Sequence, residues 1–155
     1  MSTNAAGTPG DGDSGRPALS PDGRVVGFVS TARALTSDEP GTGPQLYLRT
    51  VADPQGIARI APADVIGSGT GLNERGTLAV FATTAPLLAA DTGARADVYA
   101  REAPGRLTVR PATVDFGTLT RPSTTPLGLQ VTLGNSGPGL VTVGAAIPPA
   151  PFGYR

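Results

Sequence analysis

Two carboxylates, Asp38 and Asp91, are the first candidates for chemistry in this sequence because they lie 53 positions apart, at corresponding places in two similar stretches. Carboxylate oxygens in loops bind calcium or another ligand. An aspartate side chain also accepts hydrogen bonds from the backbone of its own loop and so fixes a turn. Repeated units keep the residues that fold them, and we therefore favour the structural interpretation over calcium binding at both positions.

The glycine-rich start of the chain carries two weaker motifs. Asp11 and Asp13 have the spacing of calcium ligands in a loop, but Arg16 stands where such a loop requires glycine. Residues 10–15 contain the pattern G-x-G-x-x-G, but no strand precedes it and Pro17 follows. A nucleotide-binding loop instead joins a strand to a helix. The sequence therefore predicts neither a metal nor a cofactor in this part of the chain.

Residue types with catalytic chemistry are scarce throughout the chain. The segment Gly12–Pro17 differs by one residue from the loop that carries the nucleophile of trypsin-like proteases, but that serine needs a histidine to accept its proton. The chain contains no His, no Cys and no Lys. It therefore lacks the usual general base, the thiol nucleophile and the amine that forms Schiff bases. We predict no catalytic residue and expect the protein not to be an enzyme.

Charge and hydropathy exclude two classes of partner. The 155 residues carry twelve basic and twelve acidic side chains, so the formal net charge is zero. A neutral chain has no electrostatic attraction to nucleic acid or to an anionic membrane surface. No apolar run is long enough to span a bilayer, and the N-terminus has neither the basic region nor the apolar core of a signal peptide. We expect no nucleic-acid partner and no membrane insertion.

An internal repeat organises the chain. Residues Ser20–Ser30 read SPDGRVVGFVS, and residues Asn73–Thr83 read NERGTLAVFAT, with Phe28 and Phe81 separated by 53 positions. A fixed period of this size indicates a repeat architecture. The positions to which we assign structural roles in the repeat are Asp22, Gly23, Phe28, Leu35, Asp38 and Tyr47 in the first copy, and Gly76, Phe81, Leu88, Asp91 and Tyr99 in the second.

Short apolar runs separated by Gly and Pro predict an all-β protein with no amphipathic helix of useful length. Residues 1–15 contain nothing to bury, and we interpret them as a flexible lead-in. The predicted strands are 17–19, 24–30, 45–50 and 57–60 in the first copy, 70–72, 77–83 and 97–101 in the second, and two within 107–117, then 127–133 and 140–143 in the tail.

The two copies resemble the repeats of TolB-like β-propellers. The matching residues of the first copy are Ser20–Arg24, Phe28–Ser30 and Leu46–Arg49, and the second copy keeps the spacing but has Asn73–Gly76 where the family has Ser-Pro-Asp-Gly. The resemblance covers about residues 14–104. It implies two four-stranded propeller-type blades over residues 16–104, with the repeated Phe and Tyr residues packed between blades.

The tail, residues 105–155, resembles the N-terminal half of an immunoglobulin-like domain of the family named for abnormal-spindle protein and Hydin. The match rests on Leu107–Val109, Asp115–Gly117, Val131–Leu133 and Asn135–Gly137. This resemblance implies a partial immunoglobulin-like β-sandwich, and the family is common in bacterial surface proteins. Because a closed propeller needs more blades, we expect this chain to be a fragment of a larger cell-envelope protein.

The two resemblances imply a non-enzymatic binding or scaffolding module in the cell envelope or outside the cell, with an unidentified protein partner or with itself as partner. The alternative is an accessory propeller segment of a prolyl-oligopeptidase-like hydrolase whose catalytic domain lies elsewhere. Coding DNA on both sides of this frame separates the two functions. Further repeats with a signal peptide favour the first, and a hydrolase domain with a G-x-S-x-G motif favours the second.

Two blades side by side leave one face of each sheet without a neighbouring blade. We expect the first unit to expose side chains from the apolar set Val25, Val26, Phe28 and Val29. Leaving a large apolar side chain in water forfeits about 1.5–3 kcal/mol. We therefore expect the isolated chain to self-associate or aggregate unless a partner covers the exposed face.

Overall fold

The computed structural model describes residues 2–38, 41–53, 55–93, 95–113 and 130–144. Their regular structure consists of nine strands in three antiparallel sheets, which confirms the all-β prediction. Helices are absent from this described part, so it contains no helix long and apolar enough to cross a membrane.

The first sheet has four strands, each paired with the next along the chain. They are β1 (Ser14–Leu19), β2 (Val25–Ser30), β3 (Gln45–Thr50) and β4 (Ile57–Ala61). The sequence predicts this order because each apolar run ends at a cluster of Pro, Gly or Asp that turns the chain. β1 begins three residues earlier than predicted, inside the segment that we interpreted as a flexible lead-in.

The second sheet has three strands in the described residues, whereas two four-stranded blades were predicted. Its strands are β5 (Val65–Leu72), β6 (Leu78–Thr83) and β7 (Asp97–Glu102). The next strand, β8 (Leu107–Arg110), does not pair with β7 and instead forms a two-stranded sheet with β9 (Thr132–Asn135). The outer edge of β7 therefore has no strand partner within the part of the chain that the structure describes.

A polar turn follows β9 and adds side-chain hydrogen bonds to its pairing with β8. The side-chain oxygen of Asn135 accepts hydrogen bonds from the backbone N–H groups of Arg106 and Gly137, each at 3.0 Å, and its amide nitrogen donates to Gly139 O at 2.6 Å. These bonds join the start of β8 to the end of β9. The strand predicted at 140–143 is not formed, and Leu140 is exposed.

The rest of the predicted tail lies outside the described residues. This applies to the predicted strand at 114–117, to positions 127–129 of the predicted strand 127–133, and to residues 145–155. The immunoglobulin-like assignment of residues 105–155 therefore stays a prediction.

The repeat in the sequence is also a repeat in the structure, beginning with the turn between the first two strands of each sheet. The N–H of Gly23 donates to Ser20 O at 2.8 Å, and that of Gly76 donates to Asn73 O at 3.0 Å. Both glycines have a positive φ, +71° and +67°, which a residue with a Cβ adopts only with strain. The two turns thus have the same backbone path despite their different sequences.

The same correspondence continues into the strands. Phe28 lies opposite Tyr47 in the β2–β3 pairing, and Phe81 lies opposite Tyr99 in the β6–β7 pairing. Both aromatic pairs are stacked, with ring centroids 5.7 Å apart in the first sheet and 6.2 Å apart in the second. Each sheet therefore has an aromatic face that carries one Phe–Tyr pair, and an aliphatic face on its other side.

The principal core lies between the two sheets. The aliphatic face of the first sheet packs against the aromatic face of the second, which carries Ala79, Phe81 and Tyr99. Phe81 is almost fully buried there. The residues of this first aliphatic face are Val25, Gly27, Val29, Leu46 and Leu48, and all five are buried.

The aromatic face of the first sheet is covered by the N-terminal segment, residues 2–13, and by the loop that follows β2. Phe28 is 8% exposed and Tyr47 is 1% exposed, and both form a second buried cluster with Ala32 and Leu35. The expectation that the first unit exposes Val25, Phe28 and Val29 is therefore wrong. The physical reason is that both faces of the sheet are covered. Val25 and Val29 are buried against the second sheet, and Phe28 lies under the loop after β2 and the N-terminal segment, which was predicted to have nothing to bury.

The two repeat glycines offer a matched pair of substitutions. A Cβ at Gly23 meets nothing within 4 Å, whereas a Cβ at Gly76 comes within 2.7 Å of Val25 Cγ2 in the neighbouring sheet. We expect Gly23→Ala to lower the free energy of unfolding by about 1–2 kcal/mol through backbone strain alone. Gly76→Ala adds a steric overlap that costs about 1–3 kcal/mol more. Urea denaturation of both variants measures the difference, and equal losses would contradict the packing of the two sheets.

Candidate binding surface

The aliphatic face of the second sheet has no covering layer in the described residues, and we call it the open face. It consists of Leu78, Val80 and Ala82 on β6 and of Val98 and Ala100 on β7, which point away from the first sheet because side chains alternate along a strand. Val80 is 39% exposed and Val98 is 73% exposed. Exposed aliphatic side chains in one patch are typical of an interaction site.

The open face is the repeat equivalent of the buried aliphatic face of the first sheet. The offset of 53 relates Val25, Gly27 and Val29 to the three open-face residues of β6, and an offset of 52 relates Leu46 and Leu48 to those of β7. Sequence reasoning assigned no role to the open-face residues. The repeat offset could have identified these residues, because it relates each of them to a residue of the first sheet that is buried.

The open face ends at an open strand edge. In the first sheet the outer edge of β3 is paired with β4, with Leu46 opposite Ala61 and Arg49 opposite Ile57. The equivalent edge of β7 has no such partner in the described residues. Backbone N–H and C=O groups along such an edge pair readily with another strand. The surface therefore combines apolar area with a backbone that can accept a further strand.

Nothing at this surface supports covalent or metal chemistry. The open face itself is aliphatic, and Glu102 at the end of β7 is the nearest carboxylate on the same side of that strand. In the residues that the structure describes, no three acidic side chains come close enough together to hold a metal ion. What the arrangement can do is bury a complementary apolar surface.

Asp91 caps its own loop, as the sequence analysis favoured. Its Oδ1 accepts a hydrogen bond from the N–H of Gly93 at 3.2 Å, and its Oδ2 accepts one from the hydroxyl of Tyr99 at 2.7 Å. This hydrogen bond to a carboxylate raises the pKa of Tyr99, because ionisation would remove the donor and place two negative charges together. Both carboxylate oxygens are thus engaged in holding the loop against β7.

No equivalent contact of Asp38 is found in the described residues, which end at position 38 and resume at position 41. Asp38 is exposed, and no hydrogen bond to its side chain occurs among the described residues. The loop after β2 is instead held by Asp11, whose Oδ1 accepts hydrogen bonds from the N–H groups of Arg33 at 2.7 Å and Ala34 at 3.2 Å. These backbone hydrogen bonds lower the pKa of Asp11. Asp11 thus holds residues 33 and 34 of this loop, and the structural role of Asp38 stays a prediction.

Asp22 has a role in folding the first turn. Its Oδ1 accepts a hydrogen bond from Ser20 Oγ at 2.7 Å and another from the N–H of Arg24 at 3.0 Å. These two hydrogen bonds, the one from Ser20 first, lower the pKa of Asp22. The second copy has Arg75 at this position and lacks that carboxylate. Both turns are nevertheless closed by a side-chain oxygen at the same repeat position, since Ser20 Oγ accepts from the N–H of Val25 at 2.9 Å and Asn73 Oδ1 accepts from the N–H of Leu78 at 3.0 Å.

The predicted equivalence of Leu35 and Leu88 does not extend to burial. Leu35 is buried in the cluster with Phe28 and Tyr47, whereas Leu88 is 63% exposed. The neighbouring Leu87 packs against the principal core. The loop of the second copy therefore uses the preceding leucine for the contact, and the constant offset ends before position 88.

Comparison of the chain with protein-family models, with curated proteins and with solved structures finds no match. The resemblances to TolB-like propellers and to immunoglobulin-like domains therefore stay predictions.

The contrast between the two aspartates is open to measurement. We expect Asp91→Ala to lower the free energy of unfolding by about 1 kcal/mol, since it removes two hydrogen bonds, and Asp38→Ala to change it by less than about 0.5 kcal/mol. The pKa of Tyr99, followed by NMR of its ring carbons, should fall toward its ordinary value in Asp91→Ala and stay raised in Asp38→Ala. Equal destabilisation, or a Tyr99 pKa that does not respond, would show that this assignment is wrong.

Proposed function

We propose that this chain is a non-enzymatic binding module that docks a protein partner on the open face of its second sheet. The observation that carries the proposal is the internal repeat: the equivalent face of the first sheet is fully covered by a neighbouring sheet. A surface of the same pattern, with Val98 exposed, has the shape and chemistry to receive a similar layer.

The apolar character of the open face supplies the driving force for docking. Burial of an exposed aliphatic side chain contributes about 25 cal/mol for each Å² removed from water. A specific interface buries about 1,000 Å² or more in total, which exceeds what five aliphatic side chains offer. The partner therefore also covers the adjoining edge of β7, whose backbone N–H and C=O groups have no strand partner in the described residues.

The location of this module follows from family resemblance alone, and we include it in the proposal. The resemblance to envelope propellers and bacterial surface domains supports a scaffolding role in the cell envelope, within a larger protein. Nothing in the described residues favours the alternative, an accessory segment of a hydrolase.

A charge placed on the open face tests the proposal. A photoreactive residue at position 98 should capture a protein when the chain is produced in its native cells, and one at position 88 should not. The captured protein is then purified and titrated with Val98→Asp and with Leu88→Asp, which alters a side chain that is 63% exposed outside the strands. We expect Val98→Asp to weaken binding by about tenfold or more, because the interface would bury an unpaired charge.

Leu88→Asp is the matched control for Val98→Asp. Leu88→Asp should bind as the parent chain does, and both variants should unfold at the parent urea concentration, since both positions are exposed. Equal binding by Val98→Asp and the parent chain would overturn the docking surface. Saturable hydrolysis of any peptide, ester or glycoside by the parent chain would overturn the non-enzymatic assignment.

A further inference from the structure

The identity of the partner can be argued from the contact that the two sheets already make. The first aliphatic face receives an aromatic face, with Gly76 of the second turn set against Val25 and Leu72 of β5 set against Gly27. A Cβ at Gly27 would lie 3.6 Å from Leu72 Cδ1. The complement of an aliphatic face in this fold is therefore the Phe–Tyr face of another repeat unit.

The chain itself contains one further aromatic face, that of the first sheet. Leu19 on β1 is the repeat equivalent of Leu72 on β5, since the two are 53 positions apart. Leu72 packs against the core between the sheets, whereas Leu19 is 61% exposed. The first sheet thus presents the side chain that would contact an aliphatic face, with no such face beside it in the described residues.

The N-terminal segment occupies the place where that neighbour would stand. Arg101 Nη1 donates to Ile60 O at 3.1 Å, which lies on the outer strand of the preceding sheet. The equivalent Arg49 Nη1 donates to Thr3 O at 2.6 Å, so residue 3 takes the place of a preceding outer strand. The N-terminal segment therefore occupies the position that a preceding repeat unit would take.

The N-terminal segment covers the aromatic face of the first sheet incompletely. A cavity of about 440 Å³ remains beside the face, lined by residues that include Pro17, Val26, Phe28 and Arg49. The segment is rich in Gly and small polar residues, so it buries little apolar area of its own. Asp11 provides two of its hydrogen bonds, both to the loop that follows β2. A sheet with larger side chains would fill the cavity and bury Leu19 as well.

We infer that the partner is a second copy of this chain, bound head to tail: the open face of one chain docks on the Phe28–Tyr47 face of the next and displaces its N-terminal segment. The inference rests on the proposed function and specifies its partner. The contact is heterologous, because each chain contributes a different face. Each added chain presents a new open face, so the assembly extends beyond a dimer.

Disulfide trapping tests this geometry directly, because the chain contains no cysteine. The contact between Gly27 and Leu72 maps, by the repeat, onto a contact between Val80 of one chain and Leu19 of the next. We expect mixed Val80→Cys and Leu19→Cys chains to form a mixed disulfide dimer upon mild oxidation. Leu88→Cys, with its exposed thiol outside both faces, serves as the control and should not be trapped with either.

Loosening the N-terminal segment should promote the assembly. Asp11→Ala removes two hydrogen bonds between the segment and the loop after β2, whereas Asp13→Ala leaves intact the backbone oxygen through which residue 13 binds Thr31. We expect Asp11→Ala to raise the yield of the mixed disulfide several-fold, and Asp13→Ala to leave it unchanged. Light scattering of the oxidised double variant, Leu19→Cys with Val80→Cys, should show masses above that of a dimer.

The outcomes separate this inference from the proposed function. A predominant Val80→Cys homodimer would mean that two open faces meet each other, and would overturn the head-to-tail contact. No trapping above the Leu88→Cys control, or an equal response to Asp11→Ala and Asp13→Ala, would also overturn it. If a different protein binds at position 98 while none of these chains is trapped, the binding module stands and self-assembly is excluded.

Discussion

The contact between the aliphatic face of the first sheet and the aromatic face of the second is the interaction on which the rest of the structure depends. It buries Phe81 among Val25, Leu46 and Leu48 and leaves no room for a side chain at Gly76. The turns of the two copies also meet, since Asp22 N–H donates to Glu74 O at 3.2 Å. Because no helix covers either sheet in the described residues, this contact supplies most of the apolar burial that a small β-protein needs.

Much of this arrangement could be predicted from the sequence, because the determinants are local and repeated. The glycines at 23 and 76 indicate tight turns, and the alternation around Phe28 and Phe81 indicates strands in the same register. The three strands of the second sheet were also predicted, and a fourth was implied only by the resemblance to propeller blades. Leu107–Arg110 follows β7 directly and has the pattern of a strand, but it pairs with Thr132–Asn135, and such a contact between distant segments is not visible in local periodicity.

The role of the N-terminal segment escaped prediction for a different physical reason. Its contacts are made by backbone groups and by Asp11, not by apolar side chains, so its composition is that of a flexible lead-in. The open face escaped because periodicity identifies which residues share a face but not which face has a neighbour. The repeat supplies that missing information once one of the two equivalent faces is seen to be covered. The first sheet therefore has its aromatic face covered partly by the N-terminal segment, whereas the aliphatic face of the second sheet has no cover in the described residues.

The most direct measurement of this asymmetry compares thiol alkylation at two equivalent positions, Leu46→Cys and Val98→Cys, in dilute protein that sediments as a monomer. Leu46 is fully buried and Val98 is 73% exposed. We predict that the thiol at 98 reacts at close to the rate of the unfolded chain. The thiol at 46 should be protected by about a hundredfold or more, since reaction there requires the sheets to open. Equal rates in the folded protein, with equal rates in urea as the reference, would contradict the account.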